Sequence, residues 1–190
     1  DAEPESWHPD GRTLAVTVWT AGRSRALLLS LDGEEKARPY LPDERDIRRI
    51  RFSPDGRWVA YISSRSGRPQ AYLRAYPGGE ADWMVSADGA ATVFWSRDGT
   101  ELFFQDLRNR LMAVSIQTEP SVSLTAPELL LDGDNLGARG CCSEDDYHVL
   151  FQLAPDGKRF VFVEKGEEEK RSGELHVILN WLGELEAYLP

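Results

Sequence analysis

The chain has 190 residues, 41 % of them hydrophobic and 10 % aromatic, enough apolar material for a packed core and too much for a disordered polypeptide. With 32 acidic against 22 basic side chains the net charge is −10, and no basic stripe with interleaved aromatics relieves it, so nucleic acid is not expected as a partner. No apolar run approaches the length of a membrane helix and the opening DAEPESW lacks the apolar stretch of a leader, so any membrane tether would lie upstream of these residues.

In chain order the pattern is short strands punctuated by Gly, Pro and Asp. The opening PESW is too brief to predict a complete strand, so the first repeat is expected to have a truncated or missing one. After the turn WHPDG come LAVTVW (14–19), RALLLSL (25–31) and KARPYL (36–41). IRRIRFS (47–53) leads into FSPDG, followed by WVAYIS (58–63), AYLRAY (71–76) and ADWMVS (81–86). ATVFWS (91–96) leads into WSRDG, then ELFFQD (101–106), LMAVSIQ (111–117) and PELLLD (127–132). After GDNLGARGCCSEDD, HVLFQLA (148–154) precedes a fourth turn, APDG, which is followed by FVFVE (160–164) and ELHVILNW (174–181). LGELEAYLP closes the chain, with leucines near helical spacing.

The runs after each Asp-Gly are apolar at consecutive positions, which means burial on both sides of a sheet. The turn suits a type I geometry: a hydroxyl at the first place, Pro presetting φ at the second, Gly free to take positive φ at the last. Asp10, Asp55, Asp98 and Asp156 stand 45, 43 and 58 residues apart, and Gly11, Gly56, Gly99 and Gly157 follow them. One aspartate per repeat is turn structure, not a catalytic or metal cluster. Four strands in a period of about 40–45 residues is the arithmetic of a β-propeller blade. The expected fold is therefore all-β: four-stranded antiparallel blades at 1–42, 43–86, 87–132 and 147–181. An insertion occupies 133–146 and a tail 182–190. Incomplete ends point to part of a larger ring, with four blades closed by strand exchange as the alternative, and open edges could also pair with a second copy.

The four turn-and-strand copies resemble the TolB-like, WD-type propeller repeats of bacteria. The run from FSPDGRWVAYISS to LMAVSI, and the ending LHVILNWLGELEAYLP, are similar to the propeller that follows bacterial serine/threonine protein kinases. That resemblance implies a non-catalytic sensing or protein-interaction domain, extracytoplasmic or regulatory, with a cytoplasmic setting as the alternative. It carries no kinase chemistry here, because the chain has no Gly-rich loop, His-Arg-Asp or Asp-Phe-Gly. An accessory propeller of a hydrolase and a free periplasmic scaffold are the alternatives.

Other candidates have plainer explanations. Gly22-Arg23-Ser24-Arg25-Ala26 is the nearest approach to a nucleophile elbow, but it lacks the final Gly and lies between two strands. Cys141 and Cys142 are neighbours, which disfavours a disulfide, and with Asp145, Asp146 and His148 they show no recognised metal spacing. No metal and no cofactor is expected. Arg48, Arg49 and Arg51 read as a solvated or ion-paired strand edge, and Trp7, Trp58 and Trp95 as packing between blades. Recognition of a protein or a small ligand is expected at the loops opposite the turns. These are 42–46, 64–69, 107–110 and the insertion, with Asp46, Arg65, Arg68 and Arg108 as contact residues.

Overall fold

The apolar runs become the second strands of successive sheets. The computed structural model describes residues 2–32, 37–41, 46–79, 81–132, 151–154 and 159–162. β1 (Ala2–Trp7), β2 (Thr13–Thr20), β3 (Arg23–Ser30) and β4 (Ala37–Tyr40) form an antiparallel sheet in chain order. β5 (Arg48–Phe52), β6 (Trp58–Ser63), β7 (Gln70–Ala75) and β8 (Asp82–Met84) repeat it. In the third sheet β9 (Thr92–Trp95), β10 (Glu101–Gln105) and β11 (Leu111–Gln117) keep the order, and β12 (Ser123–Leu124) and β13 (Glu128–Leu131) both pair with β11. β14 (Phe151–Leu153) and β15 (Phe160–Phe162) pair as the hairpin of a fourth unit. Asp156, Gly157, the cysteine insertion, 174–181 and the tail lie outside the described residues.

The opening strand expected to be truncated or missing is present. Ala2–Trp7 pairs with β2 from Ala2 opposite Val18 to Trp7 opposite Leu14, with a register shift between Pro4 and Ser6. Its Pro and two Glu hide it from a propensity reading, and pairing with the apolar β2 overrides that weakness.

The second sheet explains the two-faced apolar pattern. Val59, Tyr61 and Tyr72 look toward the first sheet and form one core with Ala15, Ala26, Leu28, Tyr40, Ile47, Ile50 and Phe52. Ala60, Ile62, Ala71 and Leu73 look the other way and form a second core with Val93, Leu102, Phe104 and Val114 of the third sheet. Phe103, Leu111 and Ala113 then face Leu153 and Phe160 of the last hairpin. The sheets are stacked face to face, with the central strands of the second and third covered on both sides.

The repeated turns have the expected hydrogen bond, from Gly11 N to His8 O (3.0 Å), Gly56 N to Ser53 O (2.9 Å) and Gly99 N to Ser96 O (3.1 Å). The three glycines sit at φ +69°, +72° and +75°, a region that disfavours side chains. Ser53 Oγ donates to Asp55 and accepts from Trp58 N (3.0 Å), and Ser96 Oγ does the same between Asp98 and Glu101 N (2.9 Å). The Ser96 hydroxyl, with Thr100, holds the Asp98 carboxyl below its usual range. In the first turn His8 takes the serine's place. Its Nδ1 accepts from Asp10 N (3.1 Å), and its Nε2 reaches across to Gly56 O (3.1 Å) in the next turn.

The inner strands are tied by polar contacts. The Glu5 side chain on β1 is 1 % exposed. Its carboxylate accepts from Thr17 Oγ1 (2.7 Å), Arg51 Nη1 (2.8 Å) and Arg49 N (2.8 Å), the last an amide that the irregular register between Arg48 and Arg51 leaves out of the β5–β6 ladder. Glu3 pairs with Arg49 (2.6 Å), and Trp95 Nε1 donates to Arg51 O (3.1 Å). Arg49 and Arg51 are thus ion-paired. Trp95 and Trp58 pack on the core between the second and third sheets, but Trp7 is 53 % exposed. It lies on the side of the first sheet away from the second, so its expected inter-blade packing has no partner among the described residues.

Two outcomes follow. Gly11→Ala costs about 1 kcal/mol of backbone strain, because nothing stands within 4 Å of an added Cβ. Gly56→Ala costs at least about 1 kcal/mol more, since that Cβ falls 2.5 Å from His8 Nε2, and His8→Ala recovers part of the loss in urea denaturation of the double variant. Glu5→Ala strands Arg51 and the Arg49 amide and lowers stability by about 3 kcal/mol, whereas Glu5→Gln loses clearly less by the same measurement.

Candidate functional site

Antiparallel order puts the Asp-Gly turns at one end of the first three sheets. The β6–β7, β8–β9 and β10–β11 connections therefore share the other end, and the chain knits those three loops together. Ala90 N donates to Pro69 O (2.9 Å), joining the β8–β9 connection to loop 64–69. Gln70 is buried at the start of β7, where its Oε1 accepts from Ser86 Oγ and from Gly89 N (3.0 Å), and Ser86 Oγ in turn accepts from Ala71 N (2.9 Å). Gly89, at φ +102°, lets the backbone run so close to Leu107 that a Cβ would lie 2.5 Å from its Cδ1. Ala91 N donates to Gln105 O (2.8 Å), tying the same connection to the third sheet.

The β10–β11 loop is built around Asp106. Its buried carboxylate accepts from Arg108 N (2.8 Å), Arg110 N (2.9 Å) and Arg110 Nε (2.7 Å), while Gln105 Nε2 donates to Asn109 Oδ1 (3.1 Å). Asn109 takes φ +62°, a conformation that Asn tolerates well. The hydrogen bond and charge of Asp106 push the Arg110 guanidinium above its ordinary value. An acidic side chain under a short loop thus fixes the backbone and leaves the Arg108 side chain exposed.

The four expected contact residues part company here. Arg68 and Arg108 stand on the abutting loops. The half-exposed guanidinium of Arg68 donates to Ala87 O (2.8 Å) and lies 3.8 Å from Asp88. Arg65 leaves its loop to lie across the second sheet, 3.8 Å from the Tyr72 ring centroid and 2.7 Å from Asp82, which also binds Arg74 and the Tyr61 hydroxyl. Asp46 sits half-buried at φ +55° just ahead of the core residue Ile47. Sequence reading passed over Gln70, Asp106 and Arg110. The spacing Asp-x-x-Asn-Arg before an apolar strand marks an Asp-anchored turn and is the signal that could have found two of them.

Ser24 is 1 % exposed within β3, and its hydroxyl finds no hydrogen-bond partner among the described residues. His8 stands at the turn end of the same sheet, Ser24 at the loop end, and His148 and His176 lie outside the described residues. No nucleophile–base pair is formed between Ser24 and His8.

No protein-family model matches the chain. Solved structures do. A TolB from Acinetobacter baumannii superposes with TM-score 0.53 at 19 % identity over 70 % of this chain and 32 % of its own. A putative TolB from Agrobacterium tumefaciens gives 0.52 at 18 % over 70 % and 52 %. This chain has the TolB-like β-propeller fold. A putative 6-phosphogluconolactonase from Bacteroides uniformis gives 0.51 at 17 %, covering 86 % of this chain and 48 % of its own. The chain thus spans about half or less of each of these three proteins, and at these identities the likeness concerns the fold alone.

Asp106→Ala removes the acceptor of three donors at once and lowers stability by about 2 kcal/mol in thermal or urea unfolding. Arg108→Ala leaves it within about 0.5 kcal/mol, because only its backbone joins the Asp106 cluster.

Proposed function

We propose that this propeller is a non-catalytic binding or sensing module that recognises a protein or a small ligand at the loop end of the second and third sheets. The observation that carries the reading is the fusion of three loops into one platform by the Ala90–Pro69 bond, the Gln70 clamp and the Gly89–Leu107 contact, with Arg68 and Arg108 at its surface. Rigid loops presenting exposed cations lose little conformational entropy on binding, and on a chain of net charge −10 they mark the place where an acidic group is tolerated.

By the resemblance of its repeats and its ending, the module belongs behind a bacterial serine/threonine kinase as its extracytoplasmic or regulatory domain. The TolB neighbours favour a propeller scaffold without chemistry of its own. The lactonase neighbour keeps the rival in view, a propeller with or beside a hydrolytic site, and for that reading Ser24 is poorly placed: it is buried on a strand.

The experiment is a binding screen of acidic peptides and small carboxylates, followed by the Arg68→Ala/Arg108→Ala double variant. A hit whose affinity drops at least about tenfold in the double variant, with the unfolding temperature unchanged, supports the platform. Hydrolysis of a lactone or dipeptide ester above background, abolished by one substitution, overturns the non-catalytic reading.

A further inference from the structure

We propose that Asp88 is a built-in competitor at the loop platform: its carboxylate occupies Arg68 in the free protein and gives way to an acidic ligand. The proposal rests on the reading of the platform as a site for an acidic group, and it names the residue that sets the affinity of that site.

The sequence already marks Asp88. Ser86-Ala87-Asp88-Gly89 repeats the Ser-x-Asp-Gly spelling of the turns at Ser53 and Ser96, yet it lies at the opposite end of the second sheet. In those turns the serine hydroxyl donates to the aspartate, and the same carboxylate accepts from the backbone of Arg57 (3.0 Å) or Thr100 (3.1 Å). In the β8–β9 connection Ser86 Oγ turns to Gln70 instead, and Gly89 N also goes to Gln70 (3.0 Å). The Asp88 carboxylate is left with no hydrogen bond among the described residues, and its side chain is 69 % exposed.

What it faces is Arg68. Asp88 Oδ1 lies 3.8 Å from Arg68 Nη2, an ion pair without a hydrogen bond between two well-solvated groups. Such a pair is held weakly and separates at little cost. Arg68 does not depend on it for its position, because the same Nη2 donates to Ala87 O at 2.8 Å. The backbone on both sides of Asp88 is fixed as well, Ala87 by that bond and Gly89 by Gln70. The carboxylate can therefore swing away while the loops keep their shape.

The surrounding charges point the same way. Arg110 is committed to Asp106 (2.6 Å), whose hydrogen bond and charge hold the guanidinium above its ordinary value, and the charges of Asp132 and Asp88 add to the effect. Asp88 thus lies within electrostatic reach of cations on both flanking loops. Asp106 is buried beneath three donors and cannot leave them without loss. Asp88 forfeits no hydrogen bond when it moves. Every acidic ligand meets it first as a rival for Arg68 and then as a repulsive neighbour.

The test is a titration with a blocked tetraglutamate peptide at low salt, followed by NMR shifts of the loop amides, for the unaltered chain, Asp88→Ala, Arg68→Ala and the double variant. Asp88→Ala is expected to bind roughly three- to fivefold more tightly, with its unfolding temperature within about 2 °C of the unaltered chain. The gain disappears when Arg68→Ala is also present, and it shrinks in sodium chloride on the order of 0.5 M. Asp32→Ala, which removes a negative charge beside Arg12 in the first Asp-Gly turn, gives no such gain. An Asp88→Ala affinity equal to or below that of the unaltered chain overturns the proposal. A gain of the same size with Arg68→Ala present, or in Asp32→Ala, also overturns it, because net charge alone then accounts for the effect. Failure of the peptide to bind any of these proteins overturns this inference together with the platform reading. Binding that Arg68→Ala abolishes, with no gain in Asp88→Ala, overturns this one alone.

Discussion

A sheet that is apolar on both faces has to be covered twice, and the architecture follows from that requirement. Alternate residues of β6 send Val59 and Tyr61 one way and Ala60 and Ile62 the other, so neither neighbouring sheet can be dispensed with. Burying either set is worth roughly 1.5–3 kcal/mol for each large side chain. The same demand passes to β10, where Leu102 and Phe104 look back and Phe103 looks forward. The third sheet answers by packing Phe103 against Phe160 at a ring separation of 5.1 Å. Stacking continues for as long as each new sheet brings a second apolar face.

Apolar faces alone would let the sheets slide. Register between them is set nearer the inner strands and the turns, where directional bonds cross from one sheet to the next. Glu5 reaches Arg49 and Arg51, Ser6 Oγ accepts from Phe52 N (3.2 Å), and Trp95 reaches Arg51 O. A buried carboxylate costs several kcal/mol to desolvate, and Glu5 is tolerated because each of its oxygens meets a donor with good geometry. Its value lies in fixing where β1 sits against β5, more than in net stability.

Much of this was legible in the sequence, because turn chemistry and two-faced apolar runs are local signals and here they recur. The Asp-Gly turns, the four-strand count of the second repeat and the charged edge strand β5 could all be read from the sequence. β1 could not, since a strand containing Pro and two Glu is recognised only by the partner it pairs with. The serines of the turns also do more than residue preferences indicate: Ser53 and Ser96 each cap the following strand as well as the aspartate. At the loop end the signal was weakest. Arg65 and Arg108 look alike in sequence, yet one is drawn down onto Tyr72 and Asp82 while the other stays in solvent, and only the neighbouring strand decides between them.

The contact between successive turns has a consequence for how such a chain can be shortened or lengthened. His8 lies against Gly56, and Pro54 packs 3.4 Å from where a Cβ on Gly99 would stand. A Cβ on Gly56 would strike the His8 imidazole, whereas one on Gly99 would meet Pro54 at ordinary van der Waals distance, so the two junctions differ in kind. Excising the second repeat would set the first turn, with its imidazole, against Gly99, whose own neighbour is a proline. The repeats, similar as they are, are therefore not interchangeable parts, and a deletion or duplication would have to exchange both sides of a turn-to-turn junction together.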